Sequence, residues 1–221
     1  MTNSIAQRIL KSKPRYIEYD FDNRELRRTL EGKTQMQRDI AMINLLDFRR
    51  VALKHGLHFW LMFGTLLGSV RERNFIEHDT DTDLAVSVSD QEALIATLSE
   101  LLANGFDLIR TKEPDDLVTI MRNDEYIDIG IFRSRRDLKG KRYNIYQNHV
   151  EYGEVFRSFI EIEFLNTKFY IPKNFELLLS RWYGDDWDIK KIDYPAMVYD
   201  RGFTTKLIQR VGGRLNRWLR K

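Results

Sequence analysis

Three aspartates at alternate positions, Asp79, Asp81 and Asp83, lead into the apolar run Leu84-Ala85-Val86, and a Gly64-Thr65 turn stands upstream of them. Side chains in a strand alternate faces, so residues two apart share one face; all three carboxylates point the same way if the strand starts early enough. Each bare pair at ~4 Å would cost on the order of 4 kcal/mol at an effective dielectric of about 20. Such a stretch must therefore be a solvated turn or hold a hard cation between its oxygens.

The rest of the chain supplies a frame for that stretch. From Gln35 to Lys54, Met36, Ile40, Ile43 and Leu46 recur at three and four, Leu53 follows, and Met42, Leu45 and Phe48 widen the stripe, which predicts an amphipathic helix ended by Gly56. His58 to Phe63 reads as a buried strand, and Gly64-Thr65 opens a short helix through Leu66, Leu67, Val70 and Arg71. Asp83 to Val88 is the next strand. Ser89 or Asp90 caps a helix through Leu94, Leu98, Leu101 and Leu102 that Gly105 stops. Three strands follow, at Phe106 to Arg110, Leu117 to Met121 and Tyr126 to Phe132, with turns at Glu113-Pro114-Asp115 and Asn123-Asp124. Within the last of them Asp128 sits among Ile127, Ile129 and Ile131, on the solvent face or on the face shared with Asp81 and Asp83. Further strands run to Ile171, with Glu161 and Glu163 on a solvated face and Phe169 and Tyr170 in the core. Pro172 then starts a helix through Leu178, Leu179 and Trp182.

Composition narrows the class. A chain of 221 residues, 43% hydrophobic and 12% aromatic, can fill one well-packed core. With no cysteine, disulfide frameworks, thiolate metal sites and thiol nucleophiles are excluded. The first residues lack the apolar core of a signal peptide, and no run approaches the ~18 apolar residues of a membrane span, so a cytoplasmic location is expected. The segment from Arg201 onward carries seven cations and no acid, so the net +3 of the whole chain leaves residues 1–200 at −4. The body is thus no nucleic-acid surface by charge. Apolar residues of the same segment (Leu207, Ile208, Val211, Leu215, Trp218, Leu219) face away from its cations, a pattern suited to an anionic membrane or to packing on the body. Three segments result: an arm at 1–34, a catalytic domain at 35–190, and a basic amphipathic tail at 191–221, with peripheral membrane contact expected through residues 204–221.

A glycine turn at a helix N-terminus, an Asp-x-Asp on the next strand and a later strand aspartate outline a phosphoryl-transfer site. Free N–H groups at Gly64, Thr65 and Leu66 suit a phosphate, and Arg71 and Arg73 suit a diphosphate. Asp81 and Asp83 would hold one or two Mg²⁺ (or Mn²⁺), with Asp79 on the same face. Asp128 would complete the metal site or accept the proton of an attacking hydroxyl.

The run Gly64-Thr65-Leu66-Leu67-Gly68-x-x-Arg71, then Phe75-Ile76, then Asp79-x-Asp81-x-Asp83, closely resembles the LicD-type phosphotransferases, to which fukutin-related protein also belongs. Ile127-Asp128-Ile129, Ile171-Pro172-Lys173 and Trp182-Tyr183-Gly184-Asp185-Asp186-Trp187 extend the resemblance from about Gln35 to Trp187. It implies an α+β, nucleotidyltransferase-like fold, a mixed β-sheet flanked by helices. It also implies transfer of a phospho-alcohol of the phosphocholine, phosphoethanolamine, glycerol- or ribitol-phosphate type from a CDP-activated donor to a sugar hydroxyl. The acceptor would be a glycan or glycolipid of a surface polysaccharide such as capsule, lipopolysaccharide or teichoic acid, and CMP would leave. Gly64, Thr65, Gly68 and Arg71 would then position the donor diphosphate; Asp79, Asp81, Asp83 and Asp128 would be the metal ligands, and Asp81, Asp83 and Asp128 the catalytic set. Glu77, His78 and Thr80 stand where the family usually has Pro, Trp and Asp, and Asn74 stands where glycine is common. The competing expectations are a nucleotidyltransferase that passes on the nucleotide itself, and a non-catalytic nucleotide-binding protein of the same fold.

Overall fold

The computed structural model describes residues 33–112, 116–146 and 149–190. The expected tail at 191–221, nearly all of the arm at 1–34 and the turn at 113–115 lie outside the described residues. The catalytic span of 35–190 divides into two units, one of residues up to 132 together with 161–170, the other of residues 133–160 and 171 onward.

In the first unit, helix α1 (Arg38–Lys54) buries Ala41, Leu45, Phe48, Val51 and Ala52. The face differs from the one expected, because Ile43 and Leu53 are each 54% exposed. What turns the helix is polar. Asn44 is buried and donates to the backbone oxygens of Arg122 and Glu125, while Arg122 donates to Asn44 Oδ1 and to Asp47. Seating that amide under a β-hairpin turns the Ile43–Leu53 side outward. Gly56, at φ +66°, ends the helix as expected.

Five strands form the sheet of this unit in the order β1 (Phe59–Leu61), β2 (Thr82–Ser87), β5 (Glu125–Arg136), β4 (Leu117–Arg122) and β3 (Asp107–Lys112). β2 and β5 run parallel and the other pairs antiparallel, so the sheet is mixed. The parallel pair needs a crossover, supplied by helix α3 (Gln91–Ala103) with β3 and β4. Asn123 and Asp124, both at positive φ, make the two-residue turn from β4 to β5, the conformation Asn and Asp tolerate best. Helix α2 (Phe63–Arg71) joins β1 to the chain ahead of β2. The aromatic core is continuous: Phe48 meets Phe59 edge-on at 5.1 Å, and Phe75 meets Phe164, which meets Phe169. Phe164 and Phe169 come from the hairpin of β8 (Phe159–Phe164) and β9 (Thr167–Pro172). Tyr170, expected in the core, is exposed and lies against His58. Glu161 and Glu163 are exposed, as alternation required.

In the second unit, residues 133–136 of β5 pair with β6 (Arg142–Tyr146), and β6 pairs with β7 (His149–Tyr152). Helix α4 (Phe175–Tyr183) begins after Pro172, which closes β9 instead of opening the helix. Buried Glu151 takes Arg181 at 2.6 Å and the Trp182 indole N–H at 3.2 Å, and burial raises its carboxyl above the ordinary value. Trp187 turns back onto Phe175. The aromatic residues of the Trp182-to-Trp187 stretch thus pack within their own unit.

Candidate active site

Strand register brings two of the expected residues together. Asp83 on β2 is the direct partner of Asp128 on β5, and partners in adjacent parallel strands project from the same face. The solvent-face alternative for Asp128 is thereby excluded. Thr119, its partner on β4, donates its hydroxyl to Asp128 Oδ1. That bond holds the carboxylate in place.

Asp79 and Asp81 arrive by a different route from the one their spacing suggests. β2 begins at Thr82, so strand alternation does not govern the two residues. Both carboxylates nonetheless lie close enough to Asp83 to act on it electrostatically. Burial first, then the charges of Asp81, Asp79 and Asp128, raise Asp83 well above the usual carboxylate range. Burial likewise pushes Asp79 up to about 6, opposed by the Thr80 N–H and by sharing with Asp81. Asp79 Oδ2 is buried with no hydrogen-bond donor.

The N-terminus of α2 is occupied by carboxylates. The Gly64 N–H donates to the Asp83 side chain, the Thr65 hydroxyl accepts from the Asp83 N–H at 2.8 Å, and the Met62 N–H donates to the Asp83 carbonyl at 3.1 Å. Leu66 donates inside the helix, to the Met62 carbonyl. A Cβ on Gly64 would stand 2.5 Å from Asp79 Oδ2, so glycine is what lets that carboxylate lie on the helix end. Phe63 makes the entry at φ +42°, a left-handed conformation that costs a non-glycine residue about 1 kcal/mol or more. Of the expected phosphate cradle, the Gly64 N–H is spent on the Asp83 side chain and the Leu66 N–H on the Met62 carbonyl, and the positive helix end offsets part of the Asp83 charge. Gly68 serves packing, since a Cβ there would stand 2.5 Å from the Asn74 carbonyl oxygen. The Arg71 side chain is largely covered, its guanidinium 2.7 Å from Glu72, while Arg73 is exposed and takes a left-handed conformation. Glu77 and His78 are exposed.

Sequence reasoning passed over two features. Tyr126 lies two residues before Asp128, hence on the same face, and hydrogen-bonds Thr80; burial and the Asp81, Asp128 and Asp83 charges push its phenol above the ordinary range. The i, i+2 spacing from Asp128 was a usable signal. Segment 33–37 lies over the aspartate stretch, with Gln35 donating to the Glu77 carbonyl and the Met36 N–H to the Asp79 carbonyl. No pattern in a single sequence announces that contact.

An all-oxygen donor set with excess negative charge and an orphaned buried oxygen fits a hard divalent cation in chemistry. Among the described residues no three His, Asp or Glu side chains form a ready-made metal cage.

A mixed sheet flanked by helices carries in-register aspartates on its two parallel strands. Residues 56–174 match the family described as LicD/FKTN/FKRP, nucleotidyltransferase domain, which is more than half of the chain, and the protein belongs to that family. An uncharacterised protein of Rickettsia typhi is 26% identical over 162 residues, covering 73% of this chain; the chain spans about half the length of that relative. Among solved structures, antibiotic-resistance factor ANT(2'')-Ia is 13% identical, with a TM-score of 0.47 over 72% of this chain and 78% of its own. Lincosamide antibiotic adenylyltransferase LnuA is 16% identical, with a TM-score of 0.45 over 71% of this chain and 95% of its own. No helix among the described residues is long and apolar enough to cross a membrane.

Proposed function

We propose that the protein is a Mg²⁺-dependent phosphotransferase that moves a phospho-alcohol from a CDP-activated donor to a sugar hydroxyl of a surface glycan or its lipid-linked precursor. The observation that carries this reading is the register of Asp83 with Asp128, with Asp79 and Asp81 delivered beside them. Asp81 and Asp83 would hold the cation, with Asp79 adding charge beside them. When bound, the cation neutralises charge on the diphosphate oxygens as displacement proceeds.

The residues divide the remaining work. Asp128, held through Oδ1 by Thr119, takes the proton of the acceptor hydroxyl as that oxygen attacks the β-phosphorus. A new P–O bond forms there, the β-phosphorus bond to the bridging oxygen breaks, and that oxygen leaves on CMP. Gly64 and Thr65 act through Asp83, holding its carboxylate and backbone in place.

A second reading follows from the family's nucleotidyltransferase domain. Attack at the α-phosphorus of a nucleoside triphosphate would release pyrophosphate and leave the nucleotide on the acceptor. Product identity separates the two. The protein is incubated with Mg²⁺ and CDP-choline, CDP-ethanolamine, CDP-glycerol or CDP-ribitol, or with nucleoside triphosphates, plus glycan acceptors. CMP released from one CDP-alcohol supports the first reading; pyrophosphate with a nucleotidylated acceptor replaces it with the second.

A further inference from the structure

The stretch carrying Asp79 and Asp81 has no strand ladder to hold it, yet it brings two carboxylates toward Asp83 and Asp128 against their mutual repulsion. Tertiary contacts must hold it there. Tyr126 is placed to do so. Thr82 pairs with Ile127 in the parallel register, so the residue before each, Asp81 and Tyr126, enters the two strands side by side. The Tyr126 hydroxyl bonds Thr80, between the two aspartates. Lys33 Nζ lies 5.2 Å from the Tyr126 ring centroid, while it pairs with Glu125 and donates to the Asp124 carbonyl. The Gln37 N–H donates to Glu125 as well, at 2.7 Å. One short segment thus grips the start of β5 through Lys33 and Gln37, and the aspartate stretch through Gln35 and Met36.

We propose that Thr80 and Tyr126 form a latch that holds residues 79–81 against the start of β5, making Tyr126 a positioning residue for Asp81. This rests on reading the cluster as a cation-dependent transferase site. It also gives Thr80, one of the three residues that set this chain apart from the usual family run, a defined task. A hydroxyl at that position spends itself on the phenol, where a fourth closely spaced aspartate would add repulsion.

The test is Mn²⁺ binding to the full chain, read by loss of the free-ion electron paramagnetic resonance signal, for wild type, Tyr126→Phe, Thr80→Val, the double variant and Thr80→Ser. Phenylalanine keeps the ring under Lys33, so folding is preserved while the bond is lost. Loss of one hydrogen bond predicts Mn²⁺ binding weaker by roughly 5–10-fold in each single variant. The double variant falls no further than the worse single variant, and Thr80→Ser stays within twofold of wild type. Wild-type binding with Tyr126→Phe unchanged overturns the latch and leaves the cation reading standing. Effects that multiply in the double variant also overturn it. Wild type that takes up no Mn²⁺ at millimolar concentration overturns the cation reading itself, and the positioning role with it. If Thr80→Val does not fold, the Phe and Ser variants decide alone.

Discussion

Replacing Asp79 by Asn should make the metal-free protein more stable, although it removes a buried residue of the site. A carboxyl near 6 in the folded state, against an ordinary value of 3.8, costs the folded protein about 3 kcal/mol once it is ionised. The sign follows from proton counts. Between about pH 4 and pH 6 the folded state binds more protons than the unfolded state, so wild-type stability falls as pH rises through that window. Above it the full cost is present, and below it the cost vanishes. Asparagine keeps an acceptor for the Thr80 N–H and presents an amide in place of the orphaned Oδ2. Urea denaturation in EDTA should therefore show Asp79→Asn more stable than wild type by roughly 2–3 kcal/mol at pH 8 and equal to it near pH 4. In thermal terms the gain at pH 8 is roughly 5–10 °C for a chain of this size. Mg²⁺ should raise the wild-type midpoint more than the variant's, because binding to the folded state alone stabilises it. A variant less stable than wild type by the same amount at both pH values would refute the reasoning: the carboxylate would then be a paired structural group and the cluster not a strained one.

Three further outcomes follow from the same geometry. Gly68→Ala forces a methyl against the Asn74 carbonyl and should lower stability by about 1–3 kcal/mol in urea denaturation; an unchanged midpoint would show that the 74–76 backbone yields freely. Thr119→Val should leave the fold intact and slow turnover at least about tenfold with little change in donor KM, since it removes the hydroxyl that holds Asp128 Oδ1; unaltered kcat would remove Asp128 as an oriented base. Deleting residues 204–221, which we propose contact membrane, should abolish co-flotation with vesicles containing anionic lipid, and equal flotation with and without them would end that proposal.

Much of this fold was legible because its elements announce themselves locally. Gly56 and Gly105 mark helix ends, Asn123-Asp124 marks a hairpin, and the isoleucines around Asp128 mark a central strand. The in-register meeting of Asp83 and Asp128 was legible only as one of two faces, because register is set by partner strands far away in sequence. Three things were hidden for physical reasons. The exposed side of α1 was set by a buried polar anchor, Asn44, which a hydrophobic stripe cannot reveal. The N–H groups at Gly64 and Leu66 were read as free, yet one is taken by a carboxylate from the next strand and the other by the helix itself. Asp79 and Asp81 converge through a stretch that is held by tertiary contacts instead of strand alternation, so the strand argument that grouped them with Asp83 holds only from Thr82 onward.

The central claim is that Asp83 holds the cation on which transfer depends. CMP release from the CDP-alcohol panel with Mg²⁺ should therefore be compared between wild type and Asp83→Asn, with circular dichroism confirming that both fold. Wild type should release CMP in a reaction that EDTA abolishes, and the variant should lose at least about a thousandfold of it at unchanged or higher thermal stability. Substantial Mg²⁺-dependent CMP release by Asp83→Asn would contradict it.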